Sequence, residues 1–361
     1  QAFVDQMEGF ALDLEDELMN FSDVSYKSFV KSESEIITLF YDKFADIPLL
    51  SRMDAVAETF IDEIETLLNR DLPEEERIPL IEKFRKMYET MDFYVLYNRF
   101  LKKEGYQTLP RRPLEKRKLR YEDVYPVLYL KYRLSRQAER SNIKHLVIDE
   151  MQDYSLLQYL IIRRMFSCKM TILGDRAQTM ADQQQDVLQF LPGIFGKDLR
   201  RIEMRKSYRN TVEIASYAAN LIGVTDLELF ERHGMPVLER DVTDLEAALR
   251  EAVDTLLPDE KTYETAAVIV PDEKTAERAY LILRGILAEK DFDCGKRLSW
   301  LNRDCSSFKK GLTVTTFYLA KGLEFDQVFS IFPKDEKREM MMQAQYIAAT
   351  RALHELRVYH I

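Results

Sequence analysis

The sequence lacks a cysteine framework, a long apolar run and an excess of positive charge. Its three cysteines (Cys168, Cys294, Cys305) show neither metal-ligand spacing nor a pairing pattern. That excludes a disulfide-built scaffold and fits buried or free thiols in a reducing cytosol. No stretch approaches the ~18 consecutive apolar residues that a membrane-spanning helix needs. The amino terminus lacks the basic, apolar, small-residue order of a signal peptide. A cytoplasmic protein without a membrane anchor is therefore expected. The formal net charge is -10, which argues against broad, backbone-driven affinity for nucleic acid while leaving room for a local basic groove or a basic protein partner. Apolar residues make up 46% and charged residues 32% of the 361, a balance that excludes disorder and provides for two or three compact domains. The first residue is Gln1 and not Met, so a fragment or a processed product is expected.

What is present changes along the chain. Residues 1–108 read as helical. Met53, Val56, Ala57, Phe60, Ile61, Ile64, Leu67 and Leu68 recur at spacings of three and four, which predicts an amphipathic helix. Ile81, Phe84, Met87, Phe93, Leu96, Tyr97 and Phe100 repeat the pattern over residues 78–106, and Pro73 and Pro79 are expected to bracket the turn between the two stretches. No Gly-rich loop or catalytic constellation is visible there. A helical packing module is the plain reading, and a partner-binding arm the sharper one. Pro110 and Pro113 mark a boundary within a basic run that ends at Arg120.

Beyond it the grammar becomes strand, helix, strand. Residues 144–148 form a short branched apolar run of the kind found in buried parallel strands. A helix is predicted over 156–166 and a second strand over 170–173, which makes a βαβ unit. Later strands are predicted at 266–270, 312–316, 328–332 and 356–360, with helices over 121–133, 213–221, 274–289 and 340–353. Two α/β halves in tandem follow from this pattern.

Five blocks carry chemistry. Asp149 and Glu150 end the first strand, within Asp149–Glu150–Met151–Gln152–Asp153. Ligands in open α/β sheets lie beyond the carboxyl ends of the strands. An acid there can hold Mg²⁺, and an adjacent Glu can polarise the attacking water; a helix cap is the bland alternative. Gly174–Asp175–Arg176–Ala177–Gln178 follows the second strand. Gly174 permits a tight turn, and Gln178 offers an amide to a γ-phosphate or a water. Lys206–Ser207–Tyr208–Arg209–Asn210 heads a helix, the fourth block runs from Thr313 to Asp326, and the fifth is Gln345–Tyr346–Ile347–Ala348–Ala349–Thr350–Arg351–Ala352. Arg209 and Arg351 are fixed charges of the kind phosphoryl transfer uses against charge developing on the γ-phosphate.

In this order the blocks resemble the superfamily 1 helicases of the UvrD/Rep type, over roughly residues 120–361. Asp149, Glu150 and Gln152 match the Walker B motif DExQD, and Gly174, Asp175 and Gln178 match GDxxQ. Tyr208 and Arg209 match the motif of the first arginine finger. Lys321, Gly322, Leu323, Glu324 and Phe325 match AKGLEF, and Thr350, Arg351 and Ala352 match TRA with the second finger. The resemblance implies ATP and Mg²⁺ as cofactors. It implies two RecA-like parallel-sheet motor domains, the first incomplete, preceded by a helical insertion. The expected limits are 1–108 for the insertion, 109–201 for the remainder of the first motor domain and 202–361 for the second. It also implies roles. Asp149 would coordinate Mg²⁺ together with water, Glu150 would activate water, and Gln178 would sense the γ-phosphate. Tyr208, Gly322 and Glu324 would contact the nucleotide, with Glu324 on the ribose or on the coupling between domains. Arg209 and Arg351 would close onto the phosphates. Thr315, Thr316 and Lys321 fall where the family contacts the single strand or the domain interface.

The sequence departs from the family in three places. No G-x-x-x-x-G-K-[ST] loop occurs, and the nearest string, Gly193–Ile194–Phe195–Gly196–Lys197–Asp198, has the wrong glycine spacing and lies after Walker B. Without that amide cradle this chain alone is expected to hydrolyse ATP negligibly. GDxxQ continues as Thr179–Met180–Ala181–Asp182–Gln183, not into base-stacking aromatics, which weakens the case for strand translocation. The stretch from Arg209 to Lys321 has no room for the large inserted domain of UvrD and Rep.

These departures, the helical block and the strings Tyr121–Glu122–Asp123–Val124–Tyr125–Pro126 and Asp149–Glu150–Met151–Gln152–Asp153–Tyr154 are similar to the HelD subfamily of RNA-polymerase-associated, helicase-like ATPases. That likeness implies RNA polymerase as partner and ATP-driven release or recycling as function. A DNA helicase or translocase in repair, and a non-enzymatic polymerase-binding fragment, stand as the alternatives.

Overall fold

The computed structural model describes residues 1–136, 142–179, 187–224, 228–259, 263–290, 297–304, 310–334 and 339–361. The expectations that fall on residues 180–183, Cys294 and Cys305 lie outside the described residues. Contacts divide the chain into two units: Gln1–Leu173 with Val187–Leu199, and Gly174–Asp186 with Arg200–Ile361.

The first unit begins with helix α1 (Ala2–Glu17), a small antiparallel pair β1 (Val24–Tyr26) and β2 (Phe29–Lys31), and the short α2 (Glu33–Thr38). Four longer helices follow: α3 (Leu49–Leu68), α4 (Glu74–Arg85), α5 (Phe93–Lys103) and α6 (Tyr121–Leu134). The α3 stripe is largely as its spacing predicts, with Met53, Val56, Ala57, Phe60, Ile61 and Ile64 buried. Leu67 departs from it at 71% exposure. It lies in the last turn, next to the chain reversal at Asn69, which ends the helix in the left-handed conformation at φ 50°. The apolar pattern over 78–106 resolves into two helices. Pro79 does not bracket a turn but lies in the middle of α4, where its missing N–H removes one hydrogen bond of the helix. Pro73 is the residue that opens α4, and Glu74, Glu75 and Glu76 crowd its first turn, where carboxylates favour the helix dipole.

One core runs through α1, α3, α4, α5 and α6 and on to Leu157 and Ile161, so residues on both sides of the expected limit at 108/109 share it. Polar groups reinforce that continuity. Tyr97 Oη donates to Asp123 at 2.9 Å and Arg120 Nε to the same carboxylate at 2.7 Å, with Asp123 2% exposed. A buried carboxylate is tolerated only with such partners.

The βαβ unit is present as β3 (His145–Ile148), α7 (Leu156–Met165) and β4 (Lys169–Ile172), with the strands parallel and His145 opposite Lys169. Ser155 caps α7 in a capping box with Gln158. The expectation that the strands are buried does not hold: Val147 is 61% exposed, and Ile148 is the buried residue of β3. The physical reason is one-sided cover. Ile148 packs with Tyr159 of α7 and with Val187 and Leu191 of α8 (Val187–Phe195), and alternate residues of a strand face the other way.

The second unit holds the short parallel pair β5 (Lys206–Ser207) and β6 (Glu228–Leu229), with α9 (Val212–Ile222) between them. It is built on a six-stranded, all-parallel sheet. The elements in chain order are β7 (Leu238–Asp241), α10 (Leu245–Asp259), β8 (Thr265–Val270), α11 (Glu273–Ala288), β9 (Leu298–Trp300), β10 (Gly311–Thr316), β11 (Phe325–Phe332), α12 (Glu339–Thr350) and β12 (Ala352–His360). Their order across the sheet is β7-β12-β11-β8-β10-β9. Here the branched runs are buried on both faces, as parallel strands require. Ala266, Val268 and Val270 of β8 pack with α10 and α11, whereas Ala267 and Ile269 pack with α9 and α12. The fold class is thus the α/β one read from the sequence, with parallel sheets and covering helices. The helix predicted over 340–353 stops at Thr350, because Ala352 already pairs with Phe325 of β11 and the Phe325 N–H donates to the Arg351 carbonyl at 2.9 Å.

Candidate active site

In the first unit the sheet ends in two carboxylates. Two backbone bonds continue the β3–β4 ladder past the strands: the Leu173 N–H donates to the Ile148 carbonyl and the Met151 N–H to the Leu173 carbonyl, both at 2.8 Å. Between these anchors the chain must turn sharply, and Glu150 does so at φ 51° and ψ 50°. A non-glycine residue in that region carries strain of about 1–3 kcal/mol, which persists where the surroundings impose it. The imposed geometry is specific. Asp149 Oδ1 accepts from the Glu150 N–H at 2.8 Å, and Glu150 Oε2 accepts from Gln152 Nε2 at 2.5 Å, with Gln152 8% exposed. Tyr159 Oη donates to the Met151 carbonyl at 3.1 Å. Asp149 is exposed and Glu150 half-buried. Among the described residues no group of three or more His, Cys, Asp or Glu side chains could hold an ion. One exposed carboxylate at a strand end is nevertheless a fitting donor for Mg²⁺, which keeps several waters and shares phosphate oxygens.

In the second unit the expected residues form two small groups. Gln178 closes a one-turn helix that Asp175 caps: Asp175 Oδ1 accepts from the Ala177 N–H and Oδ2 from Gln178 Nε2, both at 2.9 Å. Gln178 Oε1 accepts from Arg351 at 3.3 Å. Arg351 is 1% exposed and also donates to the Ile347 carbonyl at 3.2 Å, the Leu323 carbonyl at 3.4 Å and Thr350 Oγ1 at 3.2 Å. The other group is Arg209 with Glu324, whose side chains meet at 2.6 Å and are both half-exposed. Gly322, at φ 76°, supplies the left-handed turn that leads from β10 into β11 and presents Glu324. Tyr208 is 60% exposed and lies against Phe230 with ring centroids 5.6 Å apart, with Lys206 Nζ 5.5 Å from the Tyr208 ring. Thr315 and Thr316 are 0% and 1% exposed within β10, so both hydroxyls lie inside the unit and not on its surface.

Two residues to which the sequence reading gave no role help to assemble these groups. Asn210, 7% exposed, donates from Nδ2 to the Thr350 carbonyl at 3.2 Å and to the Ala352 carbonyl at 2.6 Å. It ties the segment that carries Arg209 to the turn that carries Arg351. Tyr346 Oη donates to Asp175 Oδ2 at 3.2 Å. Burial first, and then the Asp175 charge, push the Tyr346 phenol upward, so it stays protonated and a donor at any physiological pH. Both residues stand inside motif strings, but a hydrogen bond between segments so far apart in sequence leaves no periodic trace.

A loop braces the Arg209 segment from below. Arg232 donates to the carbonyls of Arg209 and Leu353, the latter at 2.7 Å. Glu213 in the first turn of α9 accepts from His233 Nδ1 and from the Gly234 N–H, each at 2.9 Å. The hydrogen bond from His233, with backbone donors behind it, lowers the Glu213 carboxyl to about 2 from an ordinary 4.5. A carboxyl lowered on folding stabilises the folded state above its unfolded value and loses that contribution as pH falls through the folded one. Glu213→Gln is therefore expected to lower the thermal midpoint at pH 6, with the gap to the parent narrowing between about pH 4.5 and pH 2. Thermal melts across that range check it, and a gap independent of pH would be the contrary result.

Comparison with known proteins bears on this geometry. The family model of the UvrD/REP helicase N-terminal domain matches residues 9–180. No curated protein matches. Among solved structures, the C-terminal domain of a possible DNA helicase from Lactobacillus plantarum is 24% identical, over 43% of this chain and 88% of that one, at a TM-score of 0.35. The helicase of PRRSV is 14% identical over 74% of this chain and 45% of its own, at a TM-score of 0.35. An arterivirus nonstructural protein 10 helicase in complex with DNA is 13% identical over 74% and 51%, at a TM-score of 0.31. This chain spans about half the length of those two viral helicases. Residues 9–180 are thus similar to the UvrD/REP helicase N-terminal domain. That likeness gives no support to the narrower HelD assignment. Among the described residues no helix is long and apolar enough to cross a membrane.

Proposed function

We propose that the full gene product is an ATP-dependent, superfamily 1 helicase-type motor, and that each of the two units supplies some of its hydrolytic groups. The observation that carries this reading is the state of the second unit's arginines. Arg351 and Arg209 come from separate segments, are joined through Asn210, and are held on Gln178 and Glu324, the residues that the family motifs assign to phosphate and to nucleotide. A bound nucleotide would compete for both pairs, so that binding and coupling share the same contacts. Asp149 would hold Mg²⁺, which neutralises phosphate charge when bound. Glu150, aimed by Gln152, would accept the proton of the attacking water, and Gln178, in the second unit, would offer its amide oxygen to a water. Tyr208 offers an exposed ring to the base.

The expected division into residues 1–108, 109–201 and 202–361, a cytoplasmic location and negligible turnover by this chain alone belong to the same reading. The test is Mg²⁺-dependent ATP turnover by the full gene product. Its absence in folded protein overturns the proposal. The finer reading, release of RNA polymerase, is supported by the subfamily resemblance of residues 121–126 and 149–154 and by the chemistry-free helical segment. Co-purification with RNA polymerase at moderate salt favours it. Tight, salt-sensitive binding to single-stranded DNA favours a translocase instead.

A further inference from the structure

The end of α12 and the turn at 175–178 are joined at two points. Arg351 donates to Gln178 Oε1, and Tyr346 donates to Asp175 Oδ2, the same oxygen that receives Gln178 Nε2. An ionised carboxylate only accepts. It must therefore face the amide's NH₂ side, which turns the amide oxygen of Gln178 toward Arg351. Both ends of the Gln178 amide are thus committed, and Gln178 is 6% exposed. The two points differ in one respect. Arg351 has to leave Gln178 if it is to meet a phosphate, and at that moment the amide loses the partner of its oxygen. Asp175 then remains as its anchor, and Asp175 is steadied by the Tyr346 hydroxyl.

We infer that Tyr346 is a positioning residue: through Asp175 it keeps the Gln178 amide oxygen aimed at the attacking water after Arg351 has moved. The inference rests on the proposed ATPase function. It assigns to one hydroxyl a task realised in the transition state and not in nucleotide binding. Losing a hydrogen bond to a partly buried charged network then slows the chemical step and leaves the affinity for nucleotide unchanged.

The test uses the full gene product. Y346F removes one oxygen and keeps the ring. Its kcat is expected to fall about fivefold to tenfold, with KM for ATP changed less than about twofold. Affinity for ADP with aluminium fluoride, a transition-state mimic, is expected to fall by a similar factor while affinity for ADP alone is kept. The variant Q178A should be slow, and Q178A with Y346F together should be no slower, because Tyr346 acts through Gln178. A Y346F protein with parental kcat overturns the inference, as does a double variant whose losses multiply, or equal weakening of ADP and the mimic. If Q178A is slow and Y346F is normal, this inference alone falls. If Q178A turns over normally, the functional reading falls and takes the inference with it.

Discussion

Glu150→Gln is expected to reduce ATP turnover by the full gene product at least about a hundredfold while leaving ATP binding in place. The substitution is close to isosteric. An amide oxygen can still receive the Gln152 Nε2 donor that now reaches Glu150 Oε2 at 2.5 Å, and the left-handed backbone at φ 51° is asked of either residue. What disappears is the negative charge and with it the capacity to accept a proton from water. A neutral side chain in the same place separates chemistry from architecture. Phosphate release measured beside equilibrium nucleotide binding reads both. Turnover within about tenfold of the parent would remove Glu150 from the role of base.

Arg351→Ala is expected to act on rate and stability together. Loss of an arginine finger costs about a thousandfold in turnover. Arg351 is also 1% exposed and donates to two carbonyls, a hydroxyl and the Gln178 amide oxygen, so truncation opens a cavity and leaves buried acceptors unpaired. Each buried acceptor left unpaired costs about 1–3 kcal/mol. Arg351→Lys distinguishes the two effects. It keeps the charge and part of the volume but lacks the planar fork, so it should recover much of the stability and little of the rate. Thermal midpoints measured beside turnover check this. A folded Arg351→Ala protein with turnover within about tenfold of the parent would show that this side chain is a structural strut and not a finger.

The legible part of the molecule was the part written in local patterns. The α3 stripe and the branched runs of β8 and β10 each lie within one stretch of chain. The motif strings, too, were complete in themselves. Pro79 was misplaced because a proline is read as a helix breaker, whereas here it stands inside a helix whose packing tolerates the lost hydrogen bond. The exposure of Val147 was missed because an apolar strand carries no record of which faces find cover.

Sequence alone determined the α/β class, the order of the motif blocks and the residue types that phosphoryl chemistry needs, because periodicity and motif spacing are properties of neighbouring residues. Tertiary structure decided where Arg209 and Arg351 rest, that Asn210 ties their segments together, and that Tyr346 reaches Asp175. Those facts depend on parallel strands that are neighbours in space but not in sequence. β11 lies between β12 and β8, and that arrangement comes from burying both faces of one sheet, not from any local preference of the chain.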